Sequence, residues 1–172
     1  MKKKILVFTG SRADYGLLKP LIERLKNDKK INLILVAGSH HFSKTFGFTY
    51  KEILNDKNNI NYACPVKINQ TTFNEVIKYC GRSMINFSDF LKKNKPHLVI
   101  LLGDRYEVFS FCIASFFLNI PIAHIHGGEV TVGAFDDSLR HSITKLSDYH
   151  FVSHKDYKKR VIQLGENPHN VF

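Results

Sequence analysis

The chain has 172 residues, close to the ~150 typical of one domain, and its 44% hydrophobic and 23% charged content excludes a disordered polypeptide. No apolar run reaches the ~18 residues that a membrane span requires. Twenty-five basic against fifteen acidic residues give a formal charge of +10, which reads as solubility or as a phosphorylated small-molecule partner; no nucleic-acid module accompanies it.

Lys2-Lys3-Lys4 followed by Ile5 to Phe8 does not read as a signal peptide, because the apolar stretch is short and lacks cleavage-type spacing. Cys64, Cys80 and Cys112 fall in no metal or redox spacing and read as buried apolar residues of a reducing, cytoplasmic compartment. Lys4 to Thr9 is a continuous apolar run, expected as a fully buried first strand. Leu17, Leu18, Leu21, Ile22 and Leu25 then recur at helical spacing, with Pro20 tolerable only in the first turn. Ile31 to Ala37 is a second strand. Residues 39–59 hold a loop and a short helix, and a weaker third strand lies near Ile60 to Val66. Thr72-Phe73-Asn74-Glu75 has capping-box spacing and opens a long helix. Phe73, Val76, Ile77, Cys80, Met84, Phe87 and Leu91 are expected on its buried face, with Lys95-Pro96 as its end. His97 to Leu102 is the fourth strand. Tyr106 to Leu118, apolar nearly all round, is a helix expected to need a larger assembly for cover. Pro121 to Ile125 is the fifth strand, Asp137 to Leu146 a short helix and Tyr149 to Ser153 a sixth strand. Ser153-x-x-Asp156 caps a last helix closed by Gly165. Val171-Phe172 is expected to open another strand, so the sequence reads as continuing. Strand and helix alternate throughout, which predicts an α/β fold: a three-layer, Rossmann-like domain on a mostly parallel sheet of about six strands.

In open α/β sheets ligands bind beyond the carboxyl ends of the strands. Here those turns carry Ser11, Arg12 and Asp14; then Ser39, His40 and His41; then Asp104, Arg105 and Glu107; then His126, Glu129, Asp136, Asp137, Arg140 and His141. Six of the fifteen acids thus share one rim with three arginines, a composition suited to proton transfer beside a bound anion. Gly10-Ser11-Arg12 offers free amides, a helix N-terminus and a guanidinium, which suit a phosphate, or it is an ordinary turn capped by Asp14. It is neither a dinucleotide fingerprint nor a Walker loop. Asp104 and Glu107 lie one helical turn apart around Arg105. If they share a cleft, like charge raises one pKa and Arg105 lowers the other; otherwise they form a cap and an ion pair. Strand alternation puts His124 and His126 on one side, and Gly127-Gly128 permits a tight turn. Either these histidines bind a metal with Glu129 and Asp104, or His126 and Glu129 perform metal-free acid–base chemistry with His124 a core residue. Asp137 is expected to cap the helix that follows, leaving Asp136 free, with Arg140 and His141 in its first turn.

The blocks TGSRADYGLL (9–18), GFTYKEI (47–53), LLGDRYE (101–107) and HIHGGEVTVGAFDDSLRHSITKLSDYHF (124–151) resemble, in order, the hydrolysing UDP-N-acetylglucosamine 2-epimerases. The resemblance implies the N-terminal Rossmann-like domain of a GT-B type fold over residues 1–172, the C-terminal UDP-binding domain being absent. It implies anti elimination of UDP to a glycal and syn hydration to N-acetylmannosamine, for sialic acid-type sugar synthesis, with no cofactor and no obligatory metal. UDP-2,4-diacetamido-2,4,6-trideoxyglucose, on the legionaminic acid route, is an alternative substrate, and a metal-dependent phosphohydrolase an alternative activity. The implied catalytic set is Asp104, His126, Glu129 and Asp136. Some members carry Glu in place of His126, so the C2 base is either His126 or Glu129. Gly10, Ser11, Arg12, Asp14, His40, Arg105, Glu107, Asp137, Arg140 and His141 are the substrate-binding candidates. The implied partners are a UDP-sugar, the missing C-terminal domain and further copies in a homo-oligomer, with neither nucleic acid nor membrane. The chain alone is expected to be inactive.

Overall fold

Six strands pair in parallel throughout, in the spatial order β3-β2-β1-β4-β5-β6. They are β1 (Lys3–Thr9), β2 (Ile31–Ala37), β3 (Tyr62–Ala63), β4 (Leu98–Leu102), β5 (Ile122–Ile125) and β6 (Tyr149–Phe151). The connecting helices are α1 (Arg12–Asn27), α2 (Tyr50–Asn55), α3 (Phe73–Asn94), α4 (Tyr106–Phe117), α5 (Asp136–Lys145) and α6 (Lys155–Gln163). The computed structural model describes residues 1–67, 72–131 and 135–172; residues 132–134, within the 124–151 block, lie outside it.

Strand alternation divides the core in two, which makes three layers. Leu6, Phe8, Val36, Val99 and Leu101 face Phe87 and Leu91 of α3, Phe111 of α4 and Ile143 of α5. Val7, Leu35, Ile100 and Ala123 face Tyr15, Leu18 and Ile22 of α1 and Ile53 of α2. Fully burying each Val, Leu, Ile or Phe among them contributes roughly 1.5–3 kcal/mol. Register brings the strand ends to one level: Thr9 pairs with Ala37, Leu102 with Ile125, and Ile125 with Phe151. The described residues that directly follow β1, β2, β4, β5 and β6 therefore lie on one rim.

Several expectations are corrected. Pro20 lies in the interior of α1, not its first turn. It deprives the Gly16 carbonyl of a donor, but both residues are exposed and water can supply one. The buried ridge of α3 is Tyr79, Ser83, Phe87 and Leu91, whereas Phe73 and Ile77 are exposed. Polar partners make this ridge possible: the Tyr79 hydroxyl lies 3.1 Å from Ser39 Oγ, and Ser83 Oγ lies against Cys64. The third strand shrinks to two residues. Helix α4 finds its cover within this chain, packed among α3, α5 and the sheet, and only Phe116 and Phe117 of its last turn are exposed. Helix α5 begins at Asp136 after Phe135, which makes no side-chain cap, so Asp137 is not the N-cap. His154, not Ser153, caps α6 by accepting from the Asp156 amide. The Thr72 cap of α3 accepts from the Glu75 amide as expected. Val171 bridges His150 in parallel, in keeping with a strand opening at Val171-Phe172.

Candidate active site

The turn after β1 is closed from within. Ser11 caps α1, and the Asp14 carboxylate accepts from the Gly10 and Ser11 amides at 3.1 and 2.9 Å. The free amides expected for a phosphate are thus already taken, and Asp14 is the reciprocal member of a capping box. Burial pushes the Asp14 carboxyl up, against the opposing pull of Arg105. Arg12, its side chain 72% exposed, pairs with Glu52 of α2 at 2.8 Å. The neighbouring turn presses close: a Cβ on Gly38 would stand 3.0 Å from Gly10 Cα, so the two turns meet backbone to backbone.

His40 and His41 follow β2 in a 3-10 turn and are both buried. His41 spans Thr9 and Thr49, at 3.0 and 2.9 Å, and burial lowers its pKa to about 4, so it is a neutral structural link. His40 pairs through Nδ1 with Glu107 and accepts through Nε2 from Arg105 Nη2 at 3.1 Å. Arg105 Nη2 also donates to Glu107 at 3.3 Å. Burial raises the Glu107 carboxyl, but the His40 hydrogen bond and the Arg105 charge outweigh it and hold the pKa below the ordinary value. Glu107 is therefore a buried anion.

Asp104 and Glu107 do not share a cleft as paired acid and base. Asp104 turns to Arg140 of α5, while Glu107 turns to His40 and Arg105. Arg140, buried, also donates to Thr131 Oγ1 at 3.0 Å and lies 3.7 Å from Asp137. Asp137 in turn accepts from the Thr131 amide at 3.2 Å and approaches His141 at 3.4 Å. The first turn of α5 is thereby tied to the end of β4. Asp136, at the first position of the same helix, is half-buried and pairs with no described residue.

His124 and His126 do not share a side. His124 is buried in β5: its Nε2–H donates to the Gly103 carbonyl at 2.8 Å, and Nδ1 lies 3.1 Å from Thr144 Oγ1. Burial lowers its pKa to about 4, the Gly103 bond acting in the opposite direction. Both ring nitrogens are engaged internally, which is the core reading of this residue. His126 lies beyond the strand with φ 66°, a left-handed conformation uncommon for a residue with a side chain. Its amide donates to the Phe151 carbonyl at 2.9 Å. Its Nδ1–H donates to Glu129 at 2.7 Å, and Ser153 Oγ donates to the same carboxylate oxygen at 2.9 Å. Gly128 (φ 78°) lets this loop lie against α6; a Cβ there would meet the Tyr157 carbonyl at 2.5 Å. Among the described residues no three histidines, cysteines or acids gather as a metal would need.

The rim thus carries three linked groups: Asp14, His40, Arg105 and Glu107 at β1, β2 and β4; Asp104, Asp137, Arg140 and His141 between β4 and α5; and His126 with Glu129 beyond β5. Asp104 and His126 follow adjacent strands, two residues and one residue beyond the Leu102–Ile125 pair. Sequence reasoning missed Thr131 and Ser153, which orient charged groups, and Glu52 on Arg12. Ser and Thr in a loop carry no signal of their own until the fold shows what lies opposite. A cleft of about 440 Å³ opens nearer the β3 edge, between Ser39, Phe42, Ser43 and Cys64 to Lys67.

Polysialic acid biosynthesis protein P7 of Escherichia coli is 44% identical over 99% of this chain and 44% of its own length. The GDP/UDP-N,N'-diacetylbacillosamine 2-epimerase (hydrolyzing) of Campylobacter jejuni is 42% identical over 99% of the chain, again 44% of that protein. The chain therefore spans under half the length of these relatives. The crystal structure of UDP-GlcNAc 2-epimerase from Neisseria meningitidis bound to UDP-GlcNAc superposes with a TM-score of 0.86 at 20% identity, over 98% of this chain and 45% of that one. That likeness establishes the fold, the N-terminal Rossmann-like half of a GT-B arrangement. The family model for UDP-N-acetylglucosamine 2-epimerase matches residues 23–172, and the chain belongs to that family.

Proposed function

We propose that this chain is the N-terminal half of a hydrolysing 2-epimerase that acts on a UDP-linked 2-acetamido sugar, releasing UDP and the C2-inverted free sugar. The carrying observation is the His126–Glu129 pair. Because Glu129 accepts from Nδ1–H, the imidazole is held in the tautomer whose Nε2 lone pair is available as a base. His126 takes the C2 proton while the C1–oxygen bond to UDP breaks, and the electron pair of the C–H bond forms the C1=C2 double bond of a glycal. Water then returns a proton to C2 and hydroxide to C1. Arg12 and Arg105 face the diphosphate. Asp136 and Asp104 serve the departing and adding groups, Asp104 oriented by Arg140. This assigns the base to His126 and the orienting role to Glu129. N-acetylglucosamine and 2,4-diacetamido-trideoxyglucose are both candidate sugars. The curated relative from Campylobacter jejuni, named for diacetylbacillosamine, supports the second.

Purified chain is incubated with each UDP-sugar, alone and with the C-terminal half of a relative supplied, and UDP and free sugar are separated by chromatography. The expected result is no turnover by the chain alone and turnover of one UDP-sugar when both halves are present. UDP release by the chain alone would overturn the half-site reading. Failure of both sugars with both halves present would overturn the epimerase reading.

A further inference from the structure

The groups beneath Arg105 are too deeply placed to touch a ligand, although sequence reading put them among the binding residues. Side-chain exposure is 3% for His40 and 0% for Glu107, against 39% for Arg105. The hydrogen bonds admit one arrangement of protons. A guanidinium can only donate, so His40 Nε2 must accept from Arg105 Nη2 at 3.1 Å. A carboxylate can only accept, so His40 Nδ1 carries the proton given to Glu107. His40 is thus a neutral relay between a cation and an anion. Its ring is clamped by Phe46, with centroids 4.6 Å apart, and lies 6.4 Å from Tyr106. One nitrogen of the guanidinium, Nη2, is therefore pinned from below by His40 and Glu107, while part of the side chain still reaches the rim.

Burying Glu107 is an expensive way to fill this space. Its Oε2 is sealed from solvent with no hydrogen-bond partner among the described residues. A buried ion pair is often no more stabilising than an apolar replacement. The amides of the first βα turn are already occupied by Asp14, so an anion arriving here has Arg105 to meet rather than a vacant amide nest.

We propose that Glu107 and His40 are positioning residues for Arg105, holding one side of its guanidinium so that the other is presented, already ordered, to the diphosphate of the nucleotide. This rests on the reading above that a nucleoside diphosphate lies against this rim. Prior ordering lowers the entropy lost when a long side chain is immobilised on binding.

Simple charge attraction makes the opposite prediction. Removing the Glu107 charge leaves the rim more positive and would tighten diphosphate binding, and exchanging neutral His40 for a neutral ring would change nothing. The test is calorimetric titration with UDP of the purified chain, alone and with the C-terminal half of a relative supplied, comparing wild type, Glu107→Gln, His40→Phe, Arg105→Lys and the double variant His40→Phe/Arg105→Lys. His40→Phe keeps the ring contacts and loses both hydrogen bonds. Near-UV circular dichroism confirms that each variant is folded; if Glu107→Gln fails that check, His40→Phe decides. Each single variant is expected to weaken UDP about tenfold, and His40→Phe is expected to add nothing in the Arg105→Lys background, because the fork it orients is gone. Unaltered UDP affinity in folded His40→Phe, tighter binding in Glu107→Gln, or full additivity in the double variant would overturn the inference while leaving the epimerase reading standing. Wild-type chain that binds no UDP at millimolar concentration, alone or with the C-terminal half of a relative supplied, would overturn the proposed rim site and this inference with it. Nitrogen-15 spectra of the histidine rings give a check without ligand: His40 should show the Nδ1–H tautomer at neutral pH, and the other tautomer would overturn the relay.

Discussion

Replacing Arg140 by Met tests whether the clamp between β4 and α5 holds the rim together. The Arg140 side chain is 7% exposed, and it is held by Asp104, by Thr131 at 3.0 Å and by Asp137 at 3.7 Å. Methionine occupies similar length and suits a helix, so the loss is mainly that of the cation. Asp104, 18% exposed, would then stand in a largely buried setting without its partner. Removing one partner of a buried pair costs ~3–5 kcal/mol, and the open edge of Asp104 places the loss near the lower end, at ~3 kcal/mol. For a chain of 172 residues the unfolding entropy is about 0.36 kcal/mol/K, so Tm should fall by about 8 °C. Urea melts followed by circular dichroism give the free energy directly. The paired variant Asp104→Asn/Arg140→Met should recover at least half of the loss, because the stranded charge is gone. A single-variant loss below about 1 kcal/mol, or a double variant that is simply additive, would refute the reasoning.

Acid should destabilise the fold through its buried histidines. Burial lowers both His41 and His124 to about 4, so between the unfolded value near 6.5 and that point only the unfolded chain takes up their protons. Stability then falls as pH drops through this window, by at most about 2 kcal/mol per histidine at pH 5; a urea midpoint at pH 5 equal to that at pH 7.5 would contradict it. Gly128→Ala should cost about 2 kcal/mol or more, from its left-handed backbone and the collision of a methyl with the Tyr157 carbonyl, and an unchanged melt would show that α6 yields freely. With a C-terminal half supplied, Asp104→Asn should lower turnover ~100-fold, the scale of a lost acid–base group; wild-type rates would remove Asp104 from the catalytic set.

Where periodicity had one interpretation, the reading of the elements held. Ile31 to Ala37 is β2 residue for residue, because a run of apolar residues bounded by Lys30 and Gly38 has no other place than a buried strand. The stripe on α3 held at Phe87 and Leu91 and broke down at its N-terminal end, because apolarity alone does not say which ridge packs. Tyr79 and Ser83 share the buried ridge because a hydroxyl with a partner is readily buried, while Phe73 and Ile77 are exposed. The capping assignments at Asp137 and Ser153 failed for a related reason. Asp137, inside the first turn of α5, pairs with Arg140 and His141 one turn further on, and the Ser153 hydroxyl goes instead to Glu129, distant in sequence.

The amino-acid order by itself determined a parallel α/β sheet and the gathering of six acids and three arginines on its carboxyl rim, since both follow from local periodicity and from which residues end each strand. Only the tertiary structure decided how those charges pair. Side chains from four different turns compete for the same counter-ions within a few ångströms, and burial determines which pairs win. Thus Asp14 seals the first turn, Glu107 sinks beneath Arg105, Asp104 goes to Arg140, and His126 stays at the surface on Glu129.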